Sequence, residues 1–252
     1  GAARPGLGRR ARMGLFDCAD PAAWGARRAS LPRALDVLAA RKQDPAKLKA
    51  LDKWFYERKV PNLRTHVLDK DTLSKIVQWK LARGTFRPGL LQKAESNKEQ
   101  AVKDAFCQAR DLLLEAGAGA PGDGTKAGAA LPAVLEAATK AVKVLEKSLF
   151  GVGPATATAV LCRFFPDAVA FMSDEAMLGC GLFSRPADLK YDMKTFRLFN
   201  EIVQNKASAL NAAAKGGPAW TGDDVARVAW ALRVLQSEAA AGTGTAGAAA
   251  AA

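Results

Sequence analysis

Histidine is nearly missing from this chain, which has one in 252 residues, and that scarcity already removes a class of chemistry. His66 alone supplies no histidine-based metal site, and it fits a residue in or beside a loop. The four cysteines, Cys18, Cys107, Cys162 and Cys180, fall at no metal-ligand spacing. Two of them sit in apolar helical stretches, so reduced, buried thiols are expected. No stretch approaches the roughly 20 consecutive apolar residues of a membrane span. Runs of β-branched residues are few and no window alternates for long, while alanine supplies much of the 49% apolar fraction, so the expected class is all-α. Acidic residues are also short, 25 against 37 Lys and Arg, which leaves a net charge of +12 and a pI near 9.7. That balance favours a polyanionic partner over an acidic protein surface.

Arginine is concentrated at the start, where residues 1–28 carry Arg4, Arg9, Arg10, Arg12, Arg27 and Arg28 against Asp17 and Asp20. Such a segment fits the remnant of an organellar transit peptide, an arm lying on nucleic acid, or a solvated tail with one docking point at Trp24. Residues 29–238 read as a helical domain. Asp44 caps a helix that opens with Pro45 and carries Leu48, Leu51, Trp54 and Phe55 along one stripe. Trp54, Phe55 and Tyr56 beside Arg58 and Lys59 have the composition of a base-stacking patch, but their helical spacing fits a core better. Asp69 or Asp71 caps a helix ending near Gly84, where Arg83 and Arg87 either clamp phosphates or lay their stems over apolar surface. Ser96-Asn97 is expected to start the next helix. Residues 115–130 are expected to form a mobile Gly/Ala-rich loop or insertion, and the low-complexity residues 239–252 to be disordered unless a partner holds them.

The most informative stretch lies at 145–164, where two apolar helical patterns meet through Phe150-Gly151-Val152-Gly153-Pro154-Ala155-Thr156-Ala157. Two glycines around one small apolar residue allow a tight turn with positive φ, and Pro154 suits the first turn of the helix that follows. The N–H groups of the turn and the positive end of that helix then face one place, which suits a phosphate. Lys140, Lys143 and Lys147 line the approach.

This arrangement resembles the helix-hairpin-helix of the DNA glycosylase superfamily, whose pattern is apolar, Gly, apolar, Gly, two variable residues, Thr-Ala and an apolar run. The match is specific over about residues 145–180. The resemblance implies a glycosylase-like fold of two intimately packed helical subdomains. It implies a hairpin gripping nucleic-acid backbone through Gly151, Val152, Gly153, Ala155 and Thr156, with Lys143, Lys147, Arg83 and Arg87 nearby. It also implies a monovalent cation on the Phe150 and Val152 carbonyls, with no metal ligand from side chains and no other cofactor. The family's aspartate, at the start of the next helix, corresponds to Asp174; Glu175 beside it is expected to point elsewhere on that helix.

Departures from the pattern narrow the chemistry. Ala155 stands where bifunctional members carry a nucleophilic lysine, so Schiff-base lyase chemistry is excluded there and any activity is monofunctional N-glycosylase hydrolysis. Glu175-Ala176 replaces the usual Thr-His, and the four-cysteine iron–sulfur loop of some members is absent. Three readings follow. The first is a non-catalytic structural or accessory component gripping DNA or RNA backbone, in an organellar ribonucleoprotein such as the mitochondrial ribosome, with a nuclear location as the alternative. The second is an active monofunctional DNA glycosylase using Asp174. The third is a helical protein-interaction module, against which the charge of +12 counts. Ser173-Asp174 also makes a good helix start with no chemistry attached.

Overall fold

In the computed structural model, residues 15–57, 62–119, 130–214, 216 and 219–249 are described, with backbone alone over 241–249. The expected Gly/Ala-rich loop falls largely in 120–129, and Arg4, Arg9, Arg10 and Arg12 in 1–14, outside the described residues. The described residues form eleven α-helices and no strand. They are α1 (Pro21–Arg28), α2 (Leu31–Ala40), α3 (Pro45–Tyr56), α4 (Lys70–Arg83), α5 (Leu90–Glu95), α6 (Glu99–Glu115), α7 (Leu131–Ser148), α8 (Pro154–Phe164), α9 (Asp174–Gly179), α10 (Met193–Ala213) and α11 (Gly222–Ala249).

Local signals set most of the helix starts. Asp44 accepts from the Lys47 N–H at 2.9 Å, Asp69 from Thr72 at 2.6 Å, and Ser173 from Ala176 at 3.3 Å. Thr221 and Asp224 cap each other reciprocally, the Asp224 N–H reaching Thr221 Oγ1 at 3.1 Å and the Thr221 N–H reaching Asp224 Oδ2 at 3.2 Å.

Three sequence expectations need correction. Residues 15–28 are no loose arm: α1 buries Trp24 completely, and Arg28 pairs with Asp224 at 2.9 Å. Ser96 and Asn97 do not open a helix, because the short α5 ends at Glu95 and α6 begins at Glu99. Helix α11 runs on through Ala249 across much of the low-complexity segment, where the helix propensity of an alanine-rich run prevails. The thiols also divide: Cys162 and Cys180 are buried, whereas Cys18 and Cys107 are only partly so.

Helices α1 and α2 from the beginning of the chain pack with α9, α10 and α11 from its end, while α3 to α8 pack among themselves. One continuous apolar cluster runs through both sets. In it Phe55 stacks flat on Trp79 with centroids 3.5 Å apart, so the Trp54-Phe55-Tyr56 run is core rather than a stacking surface. Helix α9, which opens with Asp174, lies against α11 so closely that a Cβ at Gly179 would come within 2.3 Å of the Ala229 carbonyl oxygen. No helix among the described residues is long and apolar enough to cross a membrane.

Candidate nucleic-acid interface

Helix α7 ends at Ser148, and the chain turns through Leu149 to Val152 before α8 begins. Gly151 has φ +75°, as expected, but Gly153 has φ −83° and ψ 179°, an extended conformation open to any residue. Only the first glycine is therefore demanded by the backbone. It is demanded by space as well, since a Cβ there would sit 2.8 Å from the Lys93 Cβ and 3.0 Å from the Ala94 nitrogen of α5.

Asn97, between α5 and α6, holds the turn from outside. Its Oδ1 accepts from the Phe150 N–H at 2.8 Å, and its Nδ2 donates to the Phe150 carbonyl at 2.9 Å and to the Ala94 carbonyl at 2.8 Å. This engages one of the two carbonyls expected to hold a cation. Replacing Asn97 by alanine removes these bonds, together with a longer one from Nδ2 to the Lys93 carbonyl at 3.4 Å, and should cost about 2 kcal/mol. Urea unfolding measures that loss, and faster amide exchange at Phe150 places it in the turn.

Two adjoining concavities flank the turn, sharing Leu90 and Gly153. The first is a cleft of about 470 Å³ bounded by Gly153, Pro154, Ala155 and Thr156 at the head of α8. Pro154 brings no N–H, and that of Thr156 returns to the Gly153 carbonyl at 2.9 Å. The Gly153 and Ala155 N–H groups have no partner among the described residues, so these are the donors α8 offers.

The opposite walls carry charge. Lys80 and Arg87 line the cleft with no ion pair or hydrogen bond among the described residues, while Lys42 donates to the Gly84 carbonyl at 2.5 Å. Burial pulls the Lys80 ammonium below its ordinary pKa; Arg87 adds to the effect and Asp174 opposes it. Lys42 is lowered by burial against the pull of Glu175.

Asp174 and Glu175, in the first turn of α9, both line this cleft, which overturns the expectation that Glu175 points away. Asp174 accepts from the Tyr191 hydroxyl and faces Lys80 and Arg87, whereas Glu175 faces Arg83 and Lys42. Burial raises both carboxyls above their usual range, and the cations offset part of the rise.

Arg83 corrects a second expectation. It is 4% exposed, its Nη1 bonds Asp52 Oδ1 at 2.5 Å, and its guanidinium lies 3.8 Å from the Trp230 ring centroid. Burial works against its charge, but Tyr56, Asp52 and Glu175 outweigh it and raise its pKa. Committed in this way, Arg83 is an inner wall rather than a phosphate clamp.

The second concavity is a more open groove of about 670 Å³ at the tip of the turn, lined by Lys93, Asn97, Lys147, Phe150 and Gly151, with Glu146 as its acidic member. Lys147 thus lies beside the turn, while Lys143, one helical turn earlier on α7, lines neither concavity. Lys42, Lys93 and Tyr191 carry no signal in the sequence, and Asn97 was expected only as a helix start. Lys80 carried a local signal, standing one turn before Arg83 on α4. No group of three or more His, Cys, Asp or Glu side chains among the described residues is placed to hold a metal ion. Comparison of the chain with protein-family models, with curated proteins and with solved structures gives no match.

Proposed function

We propose that this protein is a nucleic-acid-binding helix-hairpin-helix protein that grips phosphate backbone, a structural or accessory component in the manner of a glycosylase fold without its chemistry. One observation carries the reading: the unpartnered Gly153 and Ala155 amides of α8 share a cleft with Lys80 and Arg87, two cations that no carboxylate neutralises by direct pairing among the described residues. Backbone amides and such cations hold phosphates without regard to sequence. The net charge of +12 supports a polyanion, and Arg4, Arg9, Arg10 and Arg12 support an organellar ribonucleoprotein as its setting.

Binding of labelled duplex or RNA should weaken linearly with the logarithm of salt concentration. The double substitution Lys80→Gln, Arg87→Gln should lower the slope by about 0.9 per cation lost on duplex. An affinity indifferent to salt would leave the protein-interaction module instead.

The placement of Asp174 favours one second reading, a monofunctional glycosylase, because a carboxylate facing the phosphate-binding amides is where a developing sugar cation would be stabilised. Asp174→Asn separates the two. If the site only binds, removing a negative charge from the cleft raises affinity. It also flattens the rise in affinity expected as pH falls through the raised carboxyl pKa, where the folded protein takes up a proton and the cleft becomes more positive. If the site cuts, alkali-sensitive product from duplexes with deaminated, oxidised or alkylated bases appears with the native protein and vanishes with the variant.

A further inference from the structure

Five large apolar side chains are exposed among the described residues, and the two most exposed flank the two concavities. Phe86 is 71% exposed and stands in the chain between Thr85 and Arg87, which line the cleft, without lining it itself; Phe150 is 60% exposed, on the wall of the groove at the tip of the turn. Neither contributes to the apolar core.

Phe150 stands out because the chain beneath it is held so firmly. Its N–H and its carbonyl are both engaged by Asn97, and the next residue is the glycine wedged against Lys93 and Ala94. A large side chain left in solvent on a fixed stretch of backbone is a preorganised contact, since little freedom remains to be lost when something settles on it.

The charges around the two rings have the same character. The Lys93 ammonium lies 5.7 Å from the Phe150 ring centroid. Lys93, Lys147 and Arg87 have no ion-pair partner among the described residues, and Glu146 is the one carboxylate lining the groove. Elsewhere some lysines are paired with acids, as in Lys103 with Glu99, Lys140 with Glu136 and Lys49 with Asp36, and others are not; what sets this face apart is the exposed rings among its cations. Unpaired cations interleaved with solvent-facing aromatic rings match a chain that carries phosphates and exposed flat bases together. Duplex offers the phosphates but keeps its bases stacked on each other; an unpaired strand offers both.

We propose that Phe86 and Phe150 are base-stacking platforms and that this face therefore selects single-stranded or locally unpaired nucleic acid over intact duplex. The inference rests on the backbone-binding reading above and names the form of nucleic acid that the same face takes.

Fluorescence anisotropy of the full chain with a 5′-labelled single strand and with the matching duplex tests it, using Phe86→Ala, Phe150→Ala and Phe150→Trp. The native protein should bind the strand more tightly than the duplex. Each alanine substitution should weaken strand binding by about 5- to 100-fold and leave duplex binding and the salt slope in place. Tryptophan at position 150 should restore strand binding. Because both rings are solvent-facing, the alanine variants should melt as the native protein does. Strand affinity unchanged in both alanine variants, or strand and duplex weakened equally, overturns the stacking role while leaving backbone binding standing. Failure of the native protein to bind either form at low salt overturns both readings and assigns the aromatic rims to a protein partner.

Discussion

Gly151→Val should destabilise the protein by about 2–5 kcal/mol, the sum of placing a β-branched residue in the left-handed region and driving its Cβ into a packed neighbour. The backbone at Gly151 has φ +75°, and the nearest atoms to a new Cβ would be the Lys93 Cβ at 2.8 Å and the Ala94 nitrogen at 3.0 Å. The second of these is main chain within α5, so the clash cannot be relieved by rotating a side chain. Relief requires the turn to pull away from α5, which breaks the hold of Asn97 on Phe150 and moves the head of α8. Gly153→Ala is the control. With φ −83° and no heavy atom within 4 Å of the methyl it would add, it should shift stability by less than about 0.5 kcal/mol. Thermal and urea unfolding of the two variants give the comparison. A Gly153 variant as unstable as the Gly151 variant would contradict this geometry of the turn. In nucleic-acid binding the order should be the same, with Gly151→Val losing affinity even at temperatures where it stays folded.

That contrast shows what kind of information the sequence carries. A Gly-apolar-Gly run announces a tight turn, and one glycine does occupy the left-handed region; which of the two is decided by how α8 is entered, and the extended Gly153 is simply the residue before Pro154. Helix caps were legible for the same local reason. Asp44, Asp69 and Ser173 all act within three residues of themselves. The fold class followed from composition and period. What was hidden is whatever depends on partners far along the chain: Asn97 reaches 53 residues to Phe150, and Tyr191 reaches 17 residues back to Asp174. Glu175 was misjudged because helix periodicity says nothing of which distant elements a short helix meets: the cations that act on it, Arg83 and Lys42, come from far earlier in the chain. Low complexity misled over 239–249 because a run of alanines is equally poor in information and rich in helix propensity.

Asp52→Ala should prove as damaging as the glycine substitution, costing about 3–5 kcal/mol, because it strands a buried charge. Asp52 Oδ1 accepts from Arg83 Nη1 at 2.5 Å and from Trp79 Nε1 at 3.0 Å, and Arg83 is 4% exposed. The Arg83 Nε is already buried without a partner, so the guanidinium has little left to satisfy it once the carboxylate is gone. Its remaining favourable contacts are the Trp230, Trp79 and Tyr56 rings, at 3.8, 5.5 and 5.7 Å, and the field of Glu175. Asp52→Asn, which keeps an acceptor and loses the charge, should fall between the native protein and the alanine variant. Removing the cation as well, in Asp52→Ala with Arg83→Met, should recover part of the loss, since a buried ion pair replaced by apolar groups is often neutral. Urea unfolding of the three variants orders these effects. The same series decides what Arg83 does in the cleft. If Asp52→Ala costs less than about 1 kcal/mol, the pair is not what holds Arg83 in place, and its guanidinium returns as a candidate phosphate contact. If the cost is large and the double variant still binds nucleic acid with an undiminished salt slope, the phosphate charge is carried by Lys80, Arg87 and the amides of α8 alone.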